Sequence, residues 1–372
     1  MIPFNLPYVP KISLKYVKEA LKSSHQHGDG PFEKKTTALL SNMFKGSRVF
    51  LTPSCTHALE LSCMLVGIGP GDEVILPSYN FTSAATAITK FGGIPIFVDI
   101  NKDNLCIDTS LIEPLITERT KAISWVNYAG ASPNIDELIR IKKKYKLMLI
   151  EDNAHGLGGT YKGAPLGTFG DFATLSFHST KNIQCGEGGA IIMNNSTYID
   201  QAEIIREKGT NRSEFNRNKV KKYQWVGPGS SYLMNEVTAA VLLGQIESFG
   251  LIQTKRRRIF QDYSDSLRNL DGAMKGVELP EIDSILQSSH IFYILTKDQK
   301  MRDQLISDAF QNGIYFTSHY QPLHNSPAGM VYATQNESLT VSEDVSSRIV
   351  RFPIWVGLKV DYKLIAKVMS NV

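Results

Sequence analysis

Short apolar runs recur along the first half of the chain, each bounded by glycine, proline or small polar residues and followed by an amphipathic stretch. Val49–Thr52, Val74–Pro77, Pro95–Ile100, Ala122–Val126, Leu147–Asp152, Ala173–Phe177 and Ala190–Met193 are apolar on both faces, the pattern of strands buried in a parallel sheet. Alternation with helical stretches predicts βα units around that sheet. One such helix is announced by Ser132-Pro133 as N-cap and first-turn proline, with Ile135, Leu138, Ile139 and Ile141 along one face. Gly67 to Asp72 is glycine-rich but precedes a strand, so it reads as a helix-to-strand turn and not as a dinucleotide fingerprint.

After Leu251 the rhythm changes. A basic helical stretch is followed by a strand at His290–Thr296, a helix at Met301–Asn312, a strand at Ile314–Ser318 and a closing helix at Tyr362–Val372. The fold class is therefore α/β: a large domain over 1–250 with a mostly parallel sheet, and a smaller C-terminal α+β domain over 251–372.

Composition narrows the function classes. With 372 residues, 42% hydrophobic, the chain can bury a sizeable core, and a formal net charge of +4 is too small for a protein that coats nucleic acid. The run Lys255-Arg256-Arg257-Arg258 reads as a solvated helix face. Four cysteines without a CxxC pair suggest neither a disulfide framework nor a zinc ribbon. Early prolines and the lack of a long apolar run point to a cytoplasmic protein with no membrane association. No GxxxxGK[ST] loop occurs, and among the eight histidines the close pairs His25/His27 and His319/His324 lack the spacing of a helical zinc site, so no metal is expected.

Three segments carry chemistry. Pro53-Ser54-Cys55-Thr56 links a strand to the helical run His57–Val66, a start that offers free backbone N–H groups and a positive dipole end to a phosphate, or simply an N-cap at Ser54. Glu151-Asp152 ends a buried strand, where open α/β sheets meet their ligands, although a loop cap reads equally well there. Lys181 follows another strand end among His178, Ser179 and Thr180 and precedes Gly186-Glu187-Gly188-Gly189; alone it would pass for a surface lysine. Together they form the minimum set for pyridoxal 5′-phosphate: an amine for the Schiff base, a carboxylate that keeps the pyridine nitrogen protonated, and a cup for the phosphate.

On these residues the chain resembles the DegT-type nucleotide-sugar aminotransferases, within the aspartate-aminotransferase-like fold type I. The matching pieces run nearly its whole length: Gly28-Asp29-Gly30-Pro31, Gly69 to Ile75, Phe97-Val98-Asp99-Ile100, Glu151-Asp152, Ser176-Phe177-His178 with Lys181-Asn182, and Gly186 to Gly189. The resemblance implies Lys181 as the lysine that bonds the cofactor, Asp152 as partner of its ring nitrogen, and Phe81 stacked on its face. It implies Ser176, Thr56 and the backbone N–H of Cys55 at the phosphate, Cys55 standing where many relatives have glycine. His155 holds a position usually taken by glutamine, which contacts the cofactor 3′-oxygen. Ser231 replaces an asparagine that many relatives lend to the partner subunit, within an expected homodimer that shares its active sites.

Leu51 to Thr56, Ala202–Ser213 and Gly229 to Met234 resemble the members that aminate the C4 ketone of dTDP-4-keto-6-deoxyglucose. L-glutamate is then the implied donor and dTDP-4-amino-4,6-dideoxygalactose the product, for surface polysaccharide synthesis; the 4-amino-4,6-dideoxyglucose epimer and a non-catalytic cofactor-binding regulator stand as alternatives. Arg212 offers a guanidinium to the nucleotide diphosphate or is solvated in its loop. His319, Tyr320 and His324 flank the substrate pocket from the small domain or are structural.

Overall fold

The computed structural model describes residues 1–268, 276–333 and 338–370. Seven strands form one sheet: β1 (Arg48–Thr52), β2 (Glu73–Pro77), β3 (Ile94–Val98), β4 (Thr120–Val126), β5 (Met148–Asp152), β6 (Phe172–Ser176) and β7 (Gly189–Met193). Their order is β1-β7-β6-β5-β4-β2-β3, and β7 alone runs antiparallel, pairing with both β1 and β6. All seven predicted strands are present to within a few residues. Their central side chains, among them Leu51, Ile75, Ile123, Leu149, Ala173 and Ile191, are buried because helices cover both faces.

The predicted helix after β4 is present as Ile135–Tyr145, but Asn134 and not Ser132 caps it, accepting from the Glu137 N–H at 3.3 Å. Gly67 adopts a left-handed conformation at the end of helix Cys55–Val66 and turns the chain toward β2, as the glycine pattern predicts. Among the described residues no single helix is long and apolar enough to cross a membrane.

Helix Phe249–Arg268 leads to a second sheet of β8 (Val277–Glu278), β9 (Phe292–Thr296) and β10 (Ile349–Phe352), in that order and antiparallel. Here the sequence reading needs correction. Ile314–Ser318 is no regular strand: Ile314 bridges to Ile2 and Thr317 to Arg351, one residue each way, because the segment crosses between the N-terminal stretch and the edge of β10. The helix Tyr362–Ser370 matches the closing helix, whose last two positions lie outside the described residues. The basic run is not wholly solvated either: Arg256 is buried and donates to the carbonyls of Ser289, Ile354 and His290.

Two contacts fasten the segment between β9 and β10 onto the large sheet. Asp99 accepts from the N–H groups of Val341 and Ser342, capping helix Thr340–Arg348, and His324 joins Ser78 at the end of β2 to Glu343.

Candidate active site

The carboxyl ends of β4, β5 and β6 open on one edge of the large sheet, and the antiparallel β7 begins there, Gly189 standing opposite both Thr52 and Ser176. At that edge lies a cavity of roughly 590 Å³, lined from the large sheet by Cys55, Thr56, Phe81, Asp152, His155, Ser176 and Lys181, and from the C-terminal part by His290, His319, Tyr320 and Arg351. Seven residues predicted as cofactor contacts therefore meet in one space, joined by two of the four candidate substrate residues.

Strand alternation separates the acidic pair. Glu151 points to the opposite face, where Asn127 and the N–H groups of Gly167, Phe169 and Gly170 saturate it. Asp152 faces the cavity: its Oδ1 accepts from the Ala154 N–H at 3.0 Å and Thr174 at 3.5 Å, and its Oδ2 makes no hydrogen bond among the described residues. Burial raises its pKa against the pull of the Ala154 N–H and the Lys181 charge.

Lys181 sits on a loop tied at several points, with Ser179 N–H bonded to Gly186 O and Lys181 N–H to His178 O. Gly186 takes φ 82°, a region that favours glycine, and the Asn5 amide braces the loop through Ser179 O. No side-chain partner holds Nζ among the described residues. Burial lowers its pKa to about 8, against the opposing pull of Cys55 and Asp152, so the unprotonated amine is far more abundant near neutral pH than for an ordinary lysine.

The start of helix Cys55–Val66 forms the third wall. Ser54 is the N-cap, accepting from the His57 N–H, while the N–H groups of Cys55 and Thr56 have no partner among the described residues. Both readings of Ser54 thus hold together: it caps, and the cup beside it stays open. A Cβ on Gly189 would overlap the backbone of Ser54 and Cys55, so glycine is what lets β7 approach this helix end. Thr56 Oγ1 and Ser83 Oγ lie 2.7 Å apart at the rim.

Across the cavity stand two tyrosine–histidine pairs, Tyr320 with His155 Nε2 at 3.2 Å and Tyr128 with His319 Nδ1 at 2.6 Å. Burial, followed by the positive charges of Lys181 and Arg351, holds His155 well below the usual imidazole range, so it is neutral. The ring lines the cavity, where its Nε2 faces the Tyr320 hydroxyl. Asn182 fixes the neighbouring His290 through its Oδ1, and its amide donates to Ser288 O and Gln253.

Two predicted residues are not in the cavity. His324 is buried with both ring nitrogens used, on Ser78 and Glu343, and is structural. Arg212 opens a short helix and pairs with Glu207 at 3.4 Å, away from the lining; Ser231 bridges to Glu207 on the same excursion of the chain. Arg351, Tyr128, His290 and Phe4 went unnoticed in the sequence. Arg351 had one local signal, a lone charge in the apolar run Ile349–Phe352.

A buried lysine of lowered pKa, a strand-end carboxylate with one free oxygen and a helix start with open N–H groups suit an anionic aldehyde cofactor with a basic ring nitrogen, and they define a pyridoxal-phosphate-dependent aminotransferase of fold type I. The model of the DegT/DnrJ/EryC1/StrS aminotransferase family matches residues 9–372, and the chain belongs to that family. It is 32% identical over 330 residues to an uncharacterized protein of Methanocaldococcus jannaschii, covering 86% of this chain and 84% of the other. Its fold superposes on the aminotransferase TlmJ of Streptoalloteichus hindustanus with a TM-score of 0.89 at 25% identity, over 100% of this chain and 98% of that one. It also superposes, at a TM-score of 0.88 and 25% identity over 100% and 98% of the chains, on Spr1654 of Streptococcus pneumoniae, described as a sugar aminotransferase and solved in its PMP form. The activity these relations support is that of a sugar aminotransferase using pyridoxal 5′-phosphate.

Proposed function

We propose that the protein moves the amino group of L-glutamate to the C4 ketone of dTDP-4-keto-6-deoxyglucose, giving 2-oxoglutarate and dTDP-4-amino-4,6-dideoxygalactose for surface polysaccharide synthesis. The observation that carries this reading is the convergence of Lys181, Asp152 and the Cys55–Thr56 helix start on one cavity. Lys181 would hold the cofactor, Asp152 Oδ2 its ring nitrogen, Thr56, Ser176 and the Cys55 N–H its phosphate, and Phe81 its open face. Bound pyridoxal 5′-phosphate supplies an electron sink for the charge left when a proton leaves the amine-bearing carbon. Lys181 Nζ, whose pKa burial lowers to about 8, takes that proton and returns it, and the face on which it is delivered at the sugar carbon sets the C4 configuration.

The reading includes a large cofactor-binding domain over 1–250, a smaller domain over 251–372, and a homodimer. Phe81, 53% exposed at the rim, and Trp225, 81% exposed on the excursion bearing Arg212, are surfaces that a second subunit would cover. The test is to supply the holoprotein with L-glutamate and the keto sugar nucleotide, then assign the product by NMR. Formation of 2-oxoglutarate with an axial C4 amine supports the reading. An equatorial amine moves it to the 4-amino-4,6-dideoxyglucose epimer, and cofactor binding without turnover moves it to the regulator.

A further inference from the structure

His290 stands two residues before β9 and lines the cavity from the C-terminal side, 6% exposed, with its ring 4.8 Å from that of His155. A chain of buried amides fixes which of its nitrogens carries the proton. Gln253, on helix Phe249–Arg268, donates its amide to the carbonyls of Gln287 and Ser288, so its Oε1 is the atom left to accept from Asn182 at 3.2 Å. Asn182 spends its own amide on that oxygen and on Ser288 O, which turns its Oδ1 to His290 Nδ1 at 2.9 Å. A carboxamide oxygen only accepts, so the His290 proton sits on Nδ1 and Nε2 keeps a lone pair.

That lone pair has no donor among the described residues. Behind Lys181 lies a recess of roughly 10 Å³ bordered by Lys181, Asn182 and His290; Lys181 and His290 border the main cavity too, and Asn182 does not. The edge of the imidazole away from Asn182 is therefore turned to the space that the Lys181 side chain occupies. The other acceptors along this wall are taken. Thr180 pairs with His178 at 2.9 Å, His155 accepts the Ala129 N–H on Nδ1 and so carries its proton on Nε2, and Asp152 Oδ2 is assigned to the cofactor ring nitrogen. A buried acceptor without a donor is costly, and an amine on a flexible four-carbon stem is the group beside it with N–H to give.

We propose that His290 is a positioning residue for Lys181: when the amine is not bonded to the cofactor, one Nζ N–H is donated to His290 Nε2, which aims the nitrogen lone pair at the carbon whose proton it takes. The assignment rests on the aminotransferase reading. Lys181 remains the base, since the proton passes from carbon to Nζ and back and His290 takes none. Burial, followed by the charge of Lys181, holds His290 well below the usual imidazole range, so it stays a neutral acceptor throughout. A free lysine stem samples many directions, and a fixed acceptor removes that search from the proton-transfer step.

Nitrogen NMR of protein loaded with pyridoxamine phosphate, in which Lys181 is not bonded to the cofactor, reads the contact without turnover. His290 is expected as the Nδ1–H tautomer, with an Nε2 resonance that moves toward that of an unbonded ring nitrogen in Lys181→Met. The kinetic arm follows the visible absorbance of bound cofactor during the half-reaction with L-glutamate in wild type, His290→Phe and His290→Gln, the last of which keeps an acceptor near the place of Nε2. His290→Phe is expected to slow the rate at saturating glutamate by roughly 10- to 100-fold, leave the half-saturating concentration within roughly threefold, and enlarge the isotope effect from glutamate deuterated at its α-carbon. His290→Gln should recover most of the rate. An Nε2–H tautomer in wild type, an Nε2 resonance indifferent to Lys181→Met, an unchanged rate or isotope effect in His290→Phe, or an equal loss in His290→Gln overturns the assignment. If His290→Phe does not fold, the NMR arm decides alone. Borohydride trapping of cofactor on Lys181 separates the two claims: trapping together with any of those results rejects the role of His290 alone, whereas wild type that traps nothing rejects the aminotransferase reading and this assignment with it.

Discussion

The Tyr320 hydroxyl stands 3.2 Å from His155 Nε2, and the backbone N–H of Ala129 donates to Nδ1 of the same ring at 3.4 Å. An N–H pointing at Nδ1 requires a lone pair there, so the ring proton sits on Nε2 and is donated to Tyr320. Tyr320 is left with its own hydroxyl proton to give to an oxygen in the cavity. Nitrogen NMR of labelled protein should therefore show neutral His155 as the Nε2–H tautomer, and Tyr320→Phe should redistribute it. A protonated or Nδ1–H ring in wild type would contradict this arrangement.

Burial of Lys181 has a pH signature. In cofactor-free protein its amine should titrate near 8 instead of the ordinary 10.5, as read from the pH dependence of its acylation rate with peptide mapping. The linkage follows in sign. Between about 8 and 10.5 the unfolded chain binds a proton at this lysine that the folded chain does not, so the contribution of Lys181 to stability rises with pH across that window. Cofactor-free Lys181→Met should lack the rise, and a parallel pH profile for the two proteins would refute it.

Gly189→Ala tests the close approach of β7 to the helix start. The added Cβ meets backbone atoms of Ser54 and Cys55, which cannot step aside as a flexible side chain would. A loss of about 1–3 kcal/mol in stability is expected, with weaker cofactor affinity as the cup is displaced. Full stability and unaltered affinity in a denaturant and cofactor titration would show that the contact relaxes freely.

His324 belongs to the fastening between the two sheets. Replacing it by alanine removes its bonds to Ser78 and Glu343 and leaves Ser78 buried, at an expected cost of about 1–3 kcal/mol. Cofactor affinity should stay within about twofold, because the residue lies outside the cavity lining. Selective loss of cofactor or substrate binding with unchanged melting would return His324 to the site.

The large sheet and the cofactor-facing wall were legible in the sequence because each of their signals is local. A buried strand is a short apolar run, and Asp152, Ser176 and Lys181 are fixed by lying at or just past strand ends. The opposite wall was not. Arg351 and Phe4 are far apart in the chain and meet only through the N-terminal stretch packing beside β10, and Tyr320 acquires its role from His155 across the cavity. Arg256 shows the same limit: four consecutive basic residues read as a solvated face, and only the carbonyls of distant loops explain why one of them turns inward. For His324, the side chains that consume both nitrogens come from β2 and from helix Thr340–Arg348.

The central claim is that Lys181 forms the covalent bond to the cofactor. Borohydride reduction of the holoprotein followed by peptide mass mapping tests it most directly. The predicted result is a phosphopyridoxyl group on the peptide containing Lys181, and none after Lys181→Ala. An unmodified Lys181 in protein that has bound the cofactor, or a label on another lysine, would contradict it.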